Sequence, residues 1–376
     1  MQFKDIIGQQ KVKNQLIQTV KNNRISHTQL FLGADGVGSL PLAIAYAQYI
    51  NCASPSDTDS CGVCPSCVKY SKFIHPDLHF TFPIIIKDKK STSNDYMEEW
   101  RKALIDMPYL SELEWIQCID EELKKQANIT AEECRSIIKK LSLKSYEAEY
   151  KTAIIWLPEY LRQEGNILLK LLEEPPPKTL IILVAKDIDK VIATILSRTQ
   201  ILRIPNLRDD EISSYLIEKL EVEAGVASSV ARISEGSIIR AQAIVNSGDA
   251  DYFELFTSWM RLCYNTRSEL YKINAWVDNA SGMGREFLKS FLGYSLYMFR
   301  ASFIHTYGAN ELISLSENEK TFIINFSKVI TKENIVPIVN VVNKNAAYIE
   351  RNADLKITFL NLSLYIGRLL NRNYSA

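Results

Sequence analysis

The sequence predicts an α/β protein: a parallel sheet covered by helices, with an inserted metal module, followed by two all-helical regions. Three observations predict it. Short apolar runs alternate with helix-patterned stretches up to about residue 204, four cysteines crowd between positions 52 and 67, and strand signals fade after "RIPNLRDDE" (203–211). Apolar runs of five or six residues bounded by turn formers suit strands buried on both faces, and their alternation with helices is the signature of a parallel sheet.

The candidate strands are "QLFLG" (29–33), "LHFTFP" (78–83), "TAIIW" (152–156), "LIILVA" (180–185) and "QILRI" (200–204). Between them, "LPLAIAYAQYI" (40–50) and "QEGNILLKLLEE" (163–174) read as helices, the second stopped by Pro175, Pro176 and Pro177. "TAEECRSIIKKLSL" opens on a capping box: Thr130 is expected to accept from the Glu133 amide while the Glu133 side chain reaches back. Residues 84–128, in which "KDKKSTSNDYMEEW" begins as a polar loop and becomes helical, read as an insertion without a motif. The expected boundaries are an α/β domain over 1–204, a small helical region over 205–248 and a larger one over 249–376, where Phe287, Phe291 and Met298 share one helical face.

Composition excludes several classes. Lysine plus arginine equals aspartate plus glutamate, 44 each, which argues against a free-standing, strongly basic nucleic-acid binder. The N-terminus "MQFKDIIGQQ" lacks the apolar core of a secretory signal, and "LIILVA" is far too short to span a bilayer. A cytoplasmic protein is expected, with no membrane partner.

In that reducing setting the spacing C-x8-C-x2-C-x2-C of Cys52, Cys61, Cys64 and Cys67 favours a metal over disulfides. Zinc takes four thiolates in a tetrahedron, and C-x2-C turns bring two sulfurs to one ion. A redox pair or free thiols are the alternatives. Four ligands leave no open position, so zinc here is expected to be structural, adding roughly 10 kcal/mol to local folding. Cys118, Cys134 and Cys263 are isolated and read as buried apolar fillers or bystanders rather than ligands.

"GADGVGSL" (33–40) follows the first strand and opens a helix, the context of a phosphate-binding loop G-x-x-x-x-G-K-[ST]. Gly33, Gly36 and Gly38 keep the cradle. Ser39 replaces the lysine that holds the terminal phosphates, and Leu40 replaces the hydroxyl that binds magnesium. The third long strand adds a second lesion. Trp156 and Leu157 stand where an ATPase places an acidic pair, and Glu159 lies beyond without a partner carboxylate. The loop therefore reads as a retained strand-to-helix connection, with weak anion binding by its amides left open.

The order of "FKDIIGQQKVKNQL", "ISHTQLFLG", the cysteine insert, "HPD" (75–77), "NILLKLLEEPP" and "ATILSRTQ" resembles clamp-loader subunits of the AAA+ family, and among them the non-hydrolysing delta-prime type of bacterial DNA polymerase III. The resemblance is dense over 1–204 and thinner beyond, where "RNADLKITFLNLSLYI" (351–366) is similar to the closing helices. It implies an AAA+ P-loop-type domain, a helical lid and an oligomerising collar. It implies ATP only at neighbouring subunits, and partners that are the clamp-loader ATPase subunits and the clamp-opening delta subunit. The sliding clamp and primer-template DNA are then reached through the complex.

It further implies a role for Arg198 of "LSRTQ", which matches the arginine of a Ser-Arg-Cys motif that reaches a neighbour's ATP. Here Thr199 replaces the cysteine, which is not the charged actor. Arg240, one residue past the place of a γ-phosphate sensor, reads as structural. Glu173 and Glu174 read as helix-end surface charges, Asn166 and Lys170 as helix-face residues, and His27 and His75 as hydrogen-bonding rather than catalytic residues. Two other functions remain: a gamma-type clamp-loader ATPase, which needs the lost lysine and acidic pair, and a zinc-dependent nucleic-acid-binding protein.

Overall fold

The computed structural model describes residues 1–86, 90–120, 126–246, 252–266, 269–309, 313, 315, 317–350 and 353–371. Residues 87–89 and 121–125 of the expected insertion, 247–248 at the end of the expected lid and 351–352 of the closing-helix motif lie outside them. The chain divides into two compact units, Met1–Ile212 with Gly236–Ile239, and Ser213–Glu235 with Arg240–Ala376. No described helix is long and apolar enough to cross a membrane.

The first unit is built on seven strands: β1 (Thr28–Leu32), β2 (Leu78–Thr81), β3 (Ile84–Ile85), β4 (Ala127–Asn128), β5 (Lys151–Trp156), β6 (Thr179–Ala185) and β7 (Gln200–Arg203). Five of them form one parallel sheet in the order β2-β5-β6-β1-β7, with Thr28 opposite Ile181 and Ile154 opposite Ile182. Every residue of β1, β5 and β6 is buried, which is why these runs carry no polar alternation. Successive side chains point to opposite faces. Phe31, Ile154 and Ile182 pack under the helix Ser39–Ile50, while Leu30, Ile155 and Ile181 pack with Cys134, Ile137 and Leu141 of the helix Ala131–Ser142. The expected parallel α/β sheet is therefore present.

Three local expectations change. The helix expected over 163–174 is a 3-10 stretch, Pro158–Leu168, passing into a short α-helix, Leu169–Glu173. Leu157 at φ 55° and Arg162 at φ 46°, ψ −135° interrupt regular winding. Thr130 does cap its helix, accepting from the Glu133 amide at 3.2 Å, but the Glu133 side chain does not reach back. Its buried carboxylate turns into the core instead and accepts from Thr81 Oγ1 (2.7 Å) and the Ser93 amide (2.8 Å). The insertion is anchored by the antiparallel pair β3–β4, which the sequence pattern had not revealed.

The second unit is helical. Its long members are Tyr252–Tyr264, Leu270–Gly282, Arg285–Thr306, Lys332–Glu350 and Leu355–Leu370. Phe287, Phe291 and Met298 are all buried, as their shared face predicts. Trp259 stacks on Trp276 with centroids 5.5 Å apart and donates from Nε1 to Ser363 Oγ at 2.8 Å, so the ring's one polar atom is satisfied. A Cβ on Gly367 would lie 2.6 Å from Cys263 O, so the closing helix packs at a distance only glycine allows.

Candidate functional site

The loop 33–38 leaves the C-terminal end of β1, where open α/β sheets bind ligands. Gly36 at φ 84° and Gly38 at φ 95° make the turn that a side chain would strain, and Gly38 caps the helix Ser39–Ile50. A Cβ on Gly33 would meet Ser39 Oγ at 2.6 Å and Val37 Cγ2 at 2.7 Å, so the loop is wound tightly on itself. The cradle geometry is retained. What it encloses is a cavity of about 30 Å³ walled by Gly33, Ser39, Tyr109, Trp156, Leu157 and Lys186. That is room for a water or two, whereas small-molecule sites run to ~300–1,000 Å³.

The occupants come from both lesions and from the insertion. Trp156 lies on an aromatic cluster, 5.2 Å from Trp100, which in turn stacks on Phe82 at 4.1 Å and meets Trp115 edge-on at 5.0 Å. Trp100, Trp115, Tyr109 and Leu110 all belong to residues 84–128, and Tyr109 and Leu110 line the recess, so this stretch without a motif packs beside the glycine loop. Tyr109 also fastens the N-terminal segment, its hydroxyl accepting from the Ile7 amide at 2.7 Å. A capping box sets the next helix, Glu112–Ile119: Ser111 Oγ accepts from the Glu114 amide at 3.2 Å, and Glu114 accepts from the Ser111 amide at 2.8 Å.

A cation does reach the cradle. Lys186, just past β6, lies 3.2 Å from Asp35 in the loop and 2.5 Å from Glu112. Burial pulls its pKa down, but the Asp35 and Glu112 carboxylates outweigh it and hold the ammonium charged. Two carboxylates already answer that charge, so Lys186 does not replace the lysine missing at Ser39. Glu159 is likewise engaged. Its Oε1 accepts from the amides of Lys186 (2.8 Å) and Asp187 (2.9 Å), tying the exit of β5 to that of β6, and burial raises its pKa.

Among the described residues, the four cysteines are the one His/Cys/Asp/Glu cluster able to hold a metal ion, with their sulfurs all within 4.8 Å of one another. A tetrahedron with Zn–S bonds of about 2.3 Å has edges of ~3.8 Å, and Cys61 Sγ lies 3.9 Å from Cys67 Sγ. Backbone amides aim at the sulfurs: Cys61 N at Cys52 (3.2 Å), Cys64 N at Cys61 (3.3 Å) and Cys67 N at Cys64 (3.4 Å). Amides from Cys64 and Val63 pull the Cys61 thiol down to about 6, while burial pushes Cys52 and Cys67 up. Thiolates this close need a cation between them, and the donor set fits zinc with no position left for substrate. The module also holds the chain's beginning. Asp59 accepts from the amides of Phe3 (3.0 Å) and Lys4 (2.9 Å), and Gln2 Nε2 donates to Ser60 O.

Arg198 lies away from the cradle, on the turn after the short helix Ala193–Leu196. Its Nε donates to Glu173 Oε1 at 2.5 Å and its Nη1 to Thr194 O at 2.9 Å. Glu173 is thus more than the solvated helix-end charge its position suggested. Asn166 accepts from Thr194 Oγ1 at 3.1 Å, and Lys170 is exposed. Arg240 is ion-paired to Glu235 at 2.6 Å. His27 is exposed. His75 is buried, accepts from the Asp77 amide at 3.1 Å, and is pushed toward its neutral form by burial. Tyr109, Glu112 and Lys186 carry the loop site and were not singled out by motif. The readable signal was the Ser111–Glu114 capping box, which marks a helix start but not what that start faces.

A family model described as "DNA polymerase III, delta subunit" matches residues 8–208. The DNA polymerase III subunit delta' of Bacillus subtilis is 29% identical over 211 residues, covering 56% of this chain and 52% of that protein. The DNA polymerase III subunit tau/gamma of Haemophilus influenzae is 25% identical over 242 residues, 63% of this chain and 29% of that protein. The chain thus spans about half or less of the length of these curated relatives. A solved DNA polymerase III gamma subunit-related protein of Thermotoga maritima is similar at 13% identity and a TM-score of 0.41, over 96% of this chain and 99% of that one.

Proposed function

The chain belongs to the DNA polymerase III clamp-loader subunit family, and from that premise we propose that it is a non-hydrolysing, delta-prime-type member of the loader ring. It holds no nucleotide of its own. It offers Arg198 in trans to ATP bound by an adjacent motor subunit, and so helps couple that ATP to opening and closing a sliding clamp on primer-template DNA. Its partners are the loader's ATPase subunits and the clamp-opening delta subunit. Its zinc is structural, at Cys52, Cys61, Cys64 and Cys67. Its place is the cytoplasm, where replication occurs. Residues 1–204 serve as the AAA+-like domain, 205–248 as the lid and 249–376 as the collar.

One observation supports the non-hydrolysing part: the loop keeps its glycines, yet Tyr109, Trp156 and Leu157 line its recess and leave about 30 Å³. The trans role rests on Arg198 standing half-buried on a turn at the surface of the sheet domain. A guanidinium suits it because it stays charged and forks onto phosphate oxygens. The experiment is Arg198→Ala in a reconstituted loader. DNA-stimulated ATPase is expected to fall about a thousandfold at the site this chain faces, and unchanged turnover refutes the trans role. Similarity to tau/gamma subunits keeps a gamma-type ATPase as the second reading. Tight ATP binding by the isolated chain selects it, and absence of binding selects ours.

A further inference from the structure

Two motifs that lie far apart in sequence meet in one unit of structure. "NILLKLLEE" supplies Asn166 and Glu173, and "ATILSRTQ" supplies Thr194 and Arg198, joined as Asn166–Thr194 and Glu173–Arg198. The backbones beneath them are held close: a Cβ on Gly165 would lie 2.9 Å from Ile195 Cδ1, and Ile195 is fully buried. Both ends of the Glu173–Arg198 pair therefore stand on fixed ground.

The pair is a poor device for stability. The Arg198 side chain is 31% exposed and the Glu173 side chain 47% exposed, and exposed pairs contribute about 0–1 kcal/mol. Glu173 is also at the C-terminal end of its helix, where the backbone dipole disfavours a carboxylate. Geometry is what the contact supplies. A free arginine has about 2 kcal/mol of rotamer entropy to lose on engaging a ligand. Here Nε is held by Glu173, and Nη1 by Thr194 O and by Ser197 Oγ at 3.0 Å. Nη2 has no protein acceptor among the described residues. Nε and Nη1 are fixed, and Nη2 is left for an outside anion. Glu174, next in sequence, makes no such contact, so the role is specific to Glu173.

We propose that Glu173 is a positioning residue for Arg198, holding the guanidinium so that its Nη2 edge meets the phosphate oxygens of a nucleotide bound by a neighbouring subunit. This rests on the trans role given above, and it deepens that role by naming what aims the arginine.

The test uses the reconstituted loader with Glu173→Ala, Glu173→Gln, Arg198→Ala and the double variant Glu173→Ala/Arg198→Ala, scored by kcat and KM for ATP, with melting of each isolated chain. Because misplacing a reacting group by about 1 Å costs up to ~100-fold, Glu173→Ala is expected to lower kcat about tenfold or more with KM for ATP little changed. Glu173→Gln keeps an acceptor oxygen for Nε and is expected to recover most of the rate. The double variant is expected to match Arg198→Ala, since an arginine that is absent needs no aiming. The melting temperature of Glu173→Ala is expected to stay at the wild-type value. If Arg198→Ala slows turnover while Glu173→Ala runs at or above the wild-type rate, or if the two losses multiply in the double variant, the positioning role is overturned and the trans arginine survives. If Arg198→Ala itself is silent, the trans role falls and this inference falls with it.

Discussion

Metal removal should release the beginning of the chain before it affects the sheet. The perturbation is chelation, or Cys67→Ser at a fully buried ligand. Structural zinc sites contribute an apparent ~10–16 kcal/mol, comparable to or above the whole stability of a domain at ~5–15 kcal/mol, so the segment 52–67 cannot keep its shape without the ion. Through that segment Asp59 holds the Phe3 and Lys4 amides at 3.0 and 2.9 Å, and Ser60 Oγ accepts from Gln48 Nε2 at 2.9 Å. Once those anchors go, what keeps the N-terminal turn in place is the burial of Phe3 and Ile6, about 1.5–3 kcal/mol each, with the Ile7 amide on Tyr109 and Lys13 Nζ on Ile6 O, against a backbone entropy of ~1–2 kcal/mol per residue over six residues. The entropy then matches or exceeds what holds the turn, which opens locally. Hydrogen exchange at the Phe3 and Lys4 amides is the assay, with elemental analysis to confirm metal content. Protection at both is expected to fall by a factor of about a thousand or more, corresponding to ~4 kcal/mol or more of lost local stability, while amides in β5 and β6 remain protected. Metal-free protein in which Phe3 and Lys4 stay fully protected would show that the cysteines hold the module without an ion.

Two further outcomes follow from the same geometry. Ser39→Lys restores the missing lysine but leaves Tyr109 and Trp156 in place, so calorimetry of the isolated variant at about 1 mM ATP, the upper end of ordinary substrate affinities, should show no binding; a measurable affinity there would mean that the cradle opens readily. Asp77, buried, accepts from the amides of Tyr146 (2.6 Å), Glu147 (2.8 Å) and Ala148 (2.8 Å), and Asp77→Asn should cost about 2–4 kcal/mol in urea unfolding at neutral pH. Burial alone would raise this carboxyl's pKa, but the three amides outweigh it and hold it below the ordinary value. Its contribution is therefore complete above the unfolded carboxylate pKa of about 4 and fades as pH falls through the lower native value, so the gap between wild type and variant should close in acid; a gap independent of pH contradicts the account.

Much of the sheet was legible because burial on both faces writes itself as uninterrupted apolar runs: "TAIIW" and "LIILVA" match β5 and β6 within one residue at their starts. The metal module was legible because ligand spacing is a local property of the chain. The helix over 163–174 was not, since Leu157 and Arg162 adopt left-handed backbone angles that nothing in their residue type demands. Glu133 shows the same limit. Its spacing from Thr130 fits a capping box, but Thr81 and the Ser93 amide, distant in sequence, offer its carboxylate a buried alternative. The departures from the phosphate-loop pattern at Ser39, Leu40 and Trp156 were legible in the sequence. That Tyr109 lines the recess beside the loop was not, because nothing in "MPYLSELEW" records which surface its helix start will meet.

The tryptophan standing where an acid would be has one lasting consequence. It packs on Trp100, the hub of a cluster of rings that includes Phe82 and Trp115. Replacing it with aspartate would forfeit about 3–5 kcal/mol of packing and strand a charge among aromatic faces for several more, before any magnesium could reward the change. Trp156→Asp is therefore expected to cost the sheet domain much of its stability rather than to give it a metal ligand.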